Sequence, residues 1–425
     1  MKIGVLSFHS SPFSVLGGES VGGMNVYLKE LNSALTENYP CRIDVFTRCQ
    51  DPKYQGITQV NDAARIIHLK AGPERQMRRE SLFKTITEFT YELQKFMHNG
   101  NYDLIYSHYW LSGLIGEEVK KSMPIPHVFN YHSLEFLKKR VLQNQQSFCR
   151  ITAEKSLAVD TDAIISSSQE EKTHLIEEYG LPSSKIKVIY PGVNDKIFFP
   201  DRSMRIDQEI KRRESDFIFL YTGRVEPVKG LDNLIEAWNL VKKHHPGMYE
   251  RARLVIIGGG RMNHDFENNP EIRRLQSIIR RKSLQERIIF LGSRPQKKLR
   301  CYFSAADAVI MPSLYESFGL VAVEALACGT PVIVSRIGKI KSIVTNGENG
   351  FSCSPDDPEA LADSLASFPK KRKHLHSSRR IRADIIRKFS WDNTAAETYA
   401  LFSRLTGEHE PITTRSLPGE SLQPA

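Results

Sequence analysis

Short runs of β-branched and other apolar residues alternate with longer amphipathic stretches along this chain, the pattern of an α/β protein. In the first half, residues 2–8, 42–46, 64–69, 104–107, 127–131, 163–166 and 186–189 are predicted strands. The series restarts with 217–221, 253–257, 288–291, 308–311, 331–334 and 350–353. Between the two series, 199–213 is polar and charged and reads as a linker. The pattern predicts two doubly wound, Rossmann-like domains facing each other across a cleft, one over 1–198 and one over 199–390. Residues 391–405 have helical periodicity and are expected to pack back on the first domain. The tail 406–425, with several Pro, Ser and Glu, reads as disordered.

Composition agrees with this picture. The 425 residues exceed one ordinary core, and 40% hydrophobic with 25% charged residues are globular values. The net charge of +10 sits largely in patches such as Lys211 to Arg213, Arg273-Arg274, Arg280 to Lys282, Lys370 to Lys373 and Arg379-Arg380. Solvated helix faces are the first reading of these patches; phosphorylated ligands or peripheral contact with an anionic membrane are alternatives. They lack a binding module or interleaved aromatics, which argues against nucleic acid. The six cysteines show no CxxC and no Cys/His spacing suited to zinc, so reduced structural thiols in a cytoplasmic protein are expected. The first residues lead straight into a strand, and no apolar run approaches a membrane span. Oligomeric state is not legible in these features.

Candidate chemistry clusters just past strand ends, where open α/β sheets bind ligands. After the run 308–311, a small-residue turn carries Glu316, and a helix is expected to start near Phe318. The free amides of such a helix start form an anion site, with Glu324 set back about a turn and a half. One carboxylate beside an anion and a second placed to accept from a diol suit a nucleotide sugar. Its diphosphate is flanked by two polyols. After the first strand, Gly17-Gly18-Glu19-Ser20-Val21-Gly22-Gly23-Met24-Asn25 leads into a helix, and such glycines let backbone amides approach a phosphate. After 217–221, Arg224 and Lys229 flank a Glu226-Pro227 turn and could neutralise a departing diphosphate. Alone, each loop would be an ordinary turn; three phosphate-type loops at strand ends are harder to dismiss.

Two histidines also end strands. His108 is read as a packing or hydrogen-bonding residue, whereas His132 is placed to touch a sugar. Asp160-Thr161-Asp162 precedes a strand instead of following one, so it is read as a helix end and no metal is expected.

Arg224 and Lys229 with Glu316-x7-Glu324 resemble the retaining GT-B glycosyltransferases, the family that includes sucrose synthases, sucrose-phosphate synthases and glycogen synthases. The likeness covers nearly the whole chain. Within the family, His9 to Pro12, Gly22 to Tyr27, Tyr106 to Gly113 and Ser293 to Pro295 look most like the D-inositol-3-phosphate glycosyltransferases, with sucrose-phosphate synthases next.

The resemblance implies a nucleotide-sugar donor, no cofactor and no catalytic metal. It implies that the Gly22-Gly23 backbone and the amides of Phe318, Gly319 and Leu320 hold the diphosphate. Arg224 and Lys229 would stabilise the leaving group, Glu316 would bond the transferred sugar and Glu324 the ribose. Arg294 would sit beside the base and suggests uracil, and His132 would contact the sugar. Asn25, Arg79, Tyr109, Ser133 and Arg150 would lie on the acceptor side and suit a phosphorylated polyol or sugar. Two departures stand out. Ile337-Gly338-Lys339-Ile340-Lys341 replaces the family's Gly-Gly-apolar-Pro pattern, placing Lys339 near the nucleotide, and Ser20 replaces an acidic residue. The implied activity is hexosyl transfer from UDP-glucose or UDP-N-acetylglucosamine. A nucleotide-sugar epimerase of the same fold, a lipid-linked or polysaccharide acceptor, and a non-catalytic binding protein stay open as alternatives.

Overall fold

The computed structural model describes residues 1–11, 22–77, 79–142, 148–201, 206, 209–210, 212–213, 215–260 and 268–408. The first sheet contains β1 (Lys2–Leu6), β2 (Arg42–Arg48), β3 (Gly56–Asn61), β4 (Ala64–Leu69), β5 (Leu104–His108), β6 (His127–Asn130), β7 (Ala163–Ser166) and β8 (Ile186–Val188). Their order is β3-β4-β2-β1-β5-β6-β7-β8, with every neighbouring pair parallel except β3 against β4. The second sheet is parallel throughout, in the order β11-β10-β9-β12-β13-β14. Its strands are β9 (Phe217–Thr222), β10 (Ala252–Ile257), β11 (Ile288–Phe290), β12 (Ala308–Met311), β13 (Val332–Ser335) and β14 (Gly350–Cys353).

The strands follow the apolar runs because helices cover both faces of each sheet, so burial is nearly continuous along β5, β6, β10, β12 and β13. The sequence reading omitted β3. Its six residues are exposed on both faces, so no apolar periodicity marks it. The stretch 199–213 is less of a linker than its polarity suggests. Among its described residues, Ile206 and Ile210 are buried in the second domain's core, and Asp201 accepts from Arg300 Nε at 2.8 Å.

The chain passes between domains twice, and the two passages touch. Val193 bridges Ser390, and a Cβ at Gly192 would lie 2.3 Å from the Trp391 amide nitrogen, so only glycine fits there. The helix Trp391–Thr406 begins on a Ser390 cap, whose Oγ accepts from Asn393 N–H, and packs on the first domain. Tyr399 stacks on Tyr39 at 4.4 Å between ring centroids, and Trp391 and Phe402 meet Tyr27 and Tyr106 edge-on. The tail beyond Glu408 lies outside the described residues.

In each sheet the strand order reverses beside one central strand, β1 in the first and β9 in the second. Ligands of doubly wound sheets bind at that reversal, outside the carboxyl ends of the strands. The Gly22-Gly23 and Arg224–Lys229 segments lie just past β1 and β9.

Candidate active site

A cavity of about 580 Å³ lies between the domains and is lined by segments following β1, β5 to β8 and β9 to β12. On the second domain, β9 and β12 are neighbours, so the loops that leave them run side by side, joined by Leu314 N–H donating to Val228 O at 2.9 Å. That adjacency brings Lys229 Nζ to 2.5 Å from Glu316 Oε2. Arg224 lies beside them, held by Glu226 at 2.7 Å. Gly319 then caps the helix Leu320–Ala327 with φ +99°, and a Cβ there would meet Ile340 Cγ1 at 2.5 Å. Both the left-handed backbone and the space demand glycine. The Phe318 ring beside it is buried against Tyr190 and Phe389.

Glu324 faces the cavity but is only 7% exposed, and burial pushes its carboxyl up to about 8. Arg294 also lines the cavity. Its guanidinium is already bonded to Tyr302 Oη, Glu209 and the Leu291 and Ser293 carbonyls, so its orientation is fixed. From the first domain, a Cβ on Gly22 would sit 3.8 Å from Arg224, and one on Gly23 would sit 3.2 Å from Leu320 Cδ1. Gly22 and Gly23 therefore lie directly over Arg224 and the helix start. Asn25 lines the same wall, but its side chain caps its own helix. Its amide donates to Ser10 Oγ and Ser11 O and accepts from Gly22 N–H.

His132 and Tyr109 both have left-handed backbones, at φ +58° and +73°, which is costly for side-chain-bearing residues and localises strain at the cavity. His132 Nε2 lies 2.8 Å from His108 Nδ1, and burial drives the His132 imidazole down to about 3, so it is neutral at pH 7. Two hydrogen bonds tie this loop to the other domain. Ser317 Oγ donates to His132 O at 3.1 Å, and Leu134 N–H donates to Tyr315 Oη at 3.0 Å. These flank Glu316 on both sides.

Among the acceptor-side residues, Arg150 does not itself line the cavity. Its guanidinium lies under the cavity wall, bonded to Glu154 at 2.7 Å, Glu135 at 2.9 Å, Tyr109 Oη at 2.9 Å and Ser133 Oγ at 3.1 Å. A cation enclosed by two carboxylates supports Tyr109 and Ser133 from behind; those two residues reach the cavity. Arg79 opens the short helix Arg79–Leu82, and its side chain lies outside the described residues, as does Ser20. Lys339 does not line the cavity; its Nζ rests 3.9 Å from the centroid of the Tyr190 ring, which stacks on the cavity-lining Phe318.

Sequence reasoning missed Lys138, Tyr315 and Ser317. Lys138 lines the cavity, where burial, with Arg150 and Arg224 nearby, pulls its ammonium down to about 7. Its only local signal is a position one turn into a helix that follows His132. Asp162 of the Asp160-Thr161-Asp162 segment pairs with Lys120 at 2.7 Å. Among the described residues, no helix is long and apolar enough to cross a membrane.

Comparison with known proteins adds to this geometry. The family described as "Glycosyl transferases group 1" matches residues 203–383, and "Glycosyltransferase Family 4" matches 21–196. A D-inositol 3-phosphate glycosyltransferase from Corynebacterium efficiens is 31% identical, with the match covering 96% of each chain. The solved sucrose-phosphate synthase from Thermosynechococcus elongatus superposes with a TM-score of 0.86 at 29% identity, covering 96% of this chain and 99% of that one. HepE from Anabaena, solved in complex with UDP-glucose, has the same fold, with a TM-score of 0.73 at 20% identity over 95% of this chain and 100% of its own.

Proposed function

This chain belongs to the group 1 glycosyltransferases and has their two-domain GT-B fold, and from that premise we propose that it transfers a hexosyl unit with retention of anomeric configuration. The donor is UDP-glucose or UDP-N-acetylglucosamine, and the acceptor is a hydroxyl on a phosphorylated polyol or sugar. The observation that carries this reading is the convergence of Arg224, Lys229, Glu316, Glu324 and the Gly22-Gly23 backbone on one cavity. Support for the donor comes from the UDP-glucose bound by HepE. Support for the acceptor comes from the relatives named for inositol phosphate and sucrose phosphate.

The chemistry follows from the charges. The diphosphate lies between the Gly22-Gly23 backbone and the amides around Gly319, with Arg224 and Lys229 against its oxygens. As the anomeric carbon–oxygen bond breaks, negative charge builds on the departing phosphate, where these fixed cations stabilise it. The acceptor hydroxyl attacks from the face the leaving group vacates and passes its proton to that phosphate oxygen. A side-chain base is not required. Glu316 is engaged with Lys229, and neutral His132 is too weak a base at pH 7. The protein supplies position and charge instead. Glu316 bonds hydroxyls of the transferred sugar, Glu324 the ribose, and Arg294 flanks the base. On the acceptor side, Tyr109 and Ser133 present hydroxyls, and Lys138 an amine that an acceptor phosphate would hold in its protonated form.

The test is UDP release from UDP-glucose and UDP-N-acetylglucosamine, with and without D-inositol 3-phosphate or a hexose 6-phosphate, and with the product anomer assigned by NMR. Acceptor-dependent release of UDP with a retained anomer is expected. UDP formed equally without acceptor would point to epimerisation, and an inverted product would overturn the front-face mechanism. UDP should also raise the melting temperature more than GDP or ADP, as mass action requires of the preferred nucleotide.

A further inference from the structure

His108 ends β5 and His132 lies two residues past β6, the parallel neighbour of β5, and their rings meet with Nδ1 of the first 2.8 Å from Nε2 of the second. One nitrogen must donate and the other accept, because burial holds both imidazoles neutral: His132 falls to about 3, and His108 lies well below its ordinary value. The far side of each ring decides which. His108 is fully buried, and its Nε2 has no hydrogen-bond partner among the described residues. Were His132 the donor, His108 would have to carry its own hydrogen on that Nε2, leaving a buried N–H with nothing to meet. Among buried backbone groups, orphaned N–H donors are rarer than under-satisfied acceptors, and the same preference is taken for the imidazole. The other arrangement leaves only a bare lone pair on His108 Nε2 and makes His108 Nδ1–H the donor.

We propose that His108 is a positioning residue that fixes the tautomer of His132, accepted at Nε2 and protonated at Nδ1, so that His132 offers a hydrogen-bond donor to a ligand hydroxyl in the cavity it lines. The functional part rests on the reading of His132 as a sugar contact. His132 Nδ1 has no partner among the described residues, whereas the rest of the residue is fully tied. Its N–H donates to Asn130 Oδ1 at 2.9 Å, and its carbonyl accepts from Ser317. The strained backbone and the His108 bond together aim one ring nitrogen at the substrate and consume the other. A histidine so arranged is a donor and not a base.

The spectroscopic test uses wild-type protein labelled with 15N-histidine, with long-range 1H–15N correlation at pH 6 to 8 and His132 assigned by comparison with His132→Gln. The expected result is an Nδ1-protonated His132 that does not titrate over this range. An Nε2-protonated or imidazolium His132 would overturn the proposal, whatever the activity. Kinetics supply the second reading. His108→Phe keeps the ring and removes the donor, so kcat should fall about tenfold or more, the rate equivalent of one modest hydrogen bond, with donor KM within about twofold. His108→Asn can place an N–H near the same point and should recover most of the loss. Wild-type kcat in His108→Phe, or no recovery in His108→Asn, would overturn the positioning role. Absence of turnover in the wild type would instead remove the sugar-contact reading, and the spectrum would still decide the tautomer.

Discussion

Lys229 Nζ and Glu316 Oε2 form a 2.5 Å ion pair across 87 residues of sequence, with both side chains largely shielded from solvent. The pair holds the proposed leaving-group cation and the proposed sugar clamp in one geometry before any donor arrives. Preorganisation of this kind removes the cost of moving charges at the moment of reaction.

Lys229→Ala should therefore fold normally and lose about a hundredfold to a thousandfold in turnover, the usual cost of deleting one preorganised charge. Rapid-quench measurement of UDP release, alongside thermal melting, separates the two effects. Near-wild-type release from a folded variant would remove Lys229 from the leaving-group site.

Glu324 gives the apoprotein a distinctive pH dependence. Its carboxyl sits at about 8 in the fold against 4.5 as its ordinary value, so the folded state holds a proton that the unfolded chain has released. The associated stability is complete below about 4.5 and is lost as pH rises through about 8. Melting temperature should fall from pH 5 to 9, and Glu324→Gln should flatten that slope. Ribose hydroxyls donate better to a carboxylate than to a carboxylic acid, so UDP binding at pH 7 should release protons. Titration calorimetry in buffers of different ionisation enthalpy detects this, and zero proton release would contradict the ribose assignment.

Tyr315 and Ser317 tie Glu316 to the His132 loop of the opposite domain. Tyr315→Phe and Ser317→Ala should each lower kcat by about three- to tenfold, the equivalent of one modest hydrogen bond, with UDP affinity within about twofold. With UDP bound, the double variant should keep a larger radius of gyration in X-ray scattering than the wild type. Equal compaction would show that these bonds do not hold the cleft.

Arg150→Met leaves Glu135 and Glu154 buried without their cation, and should cost about 3–5 kcal/mol of stability in urea unfolding. A loss below about 1 kcal/mol, with a selective rise in acceptor KM, would return Arg150 to direct substrate contact.

Where a strand is covered on both faces, as β10 is, an unbroken apolar run announces it; β3, wet on both faces, has no such run. The same division runs through the site. Gly22-Gly23, Arg224, Lys229 and the Glu316–Glu324 spacing were legible because each sits just past a strand and its chemistry is local. Tyr315 and Ser317 were not, since their partners lie 181 and 185 residues away in the other domain. The surroundings of Arg150 are hidden for a related reason. Its charge is visible in the sequence, but the enclosure by Glu135, Glu154, Tyr109 and Ser133 appears only when β5 and the helix Phe148–Asp160 come together.

The return of the helix Trp391–Thr406 to the first domain sets an order of completion during translation. The strands of the first sheet have all been made by Val188, yet Trp391, Ala395, Tyr399 and Phe402 are part of the core beneath it. Every strand of the second sheet is encoded between those points. On the ribosome, the first domain therefore keeps an open apolar face while every strand of the second is made. The domain synthesised first is finished last, and it is the one that depends most on shelter from aggregation as the chain emerges.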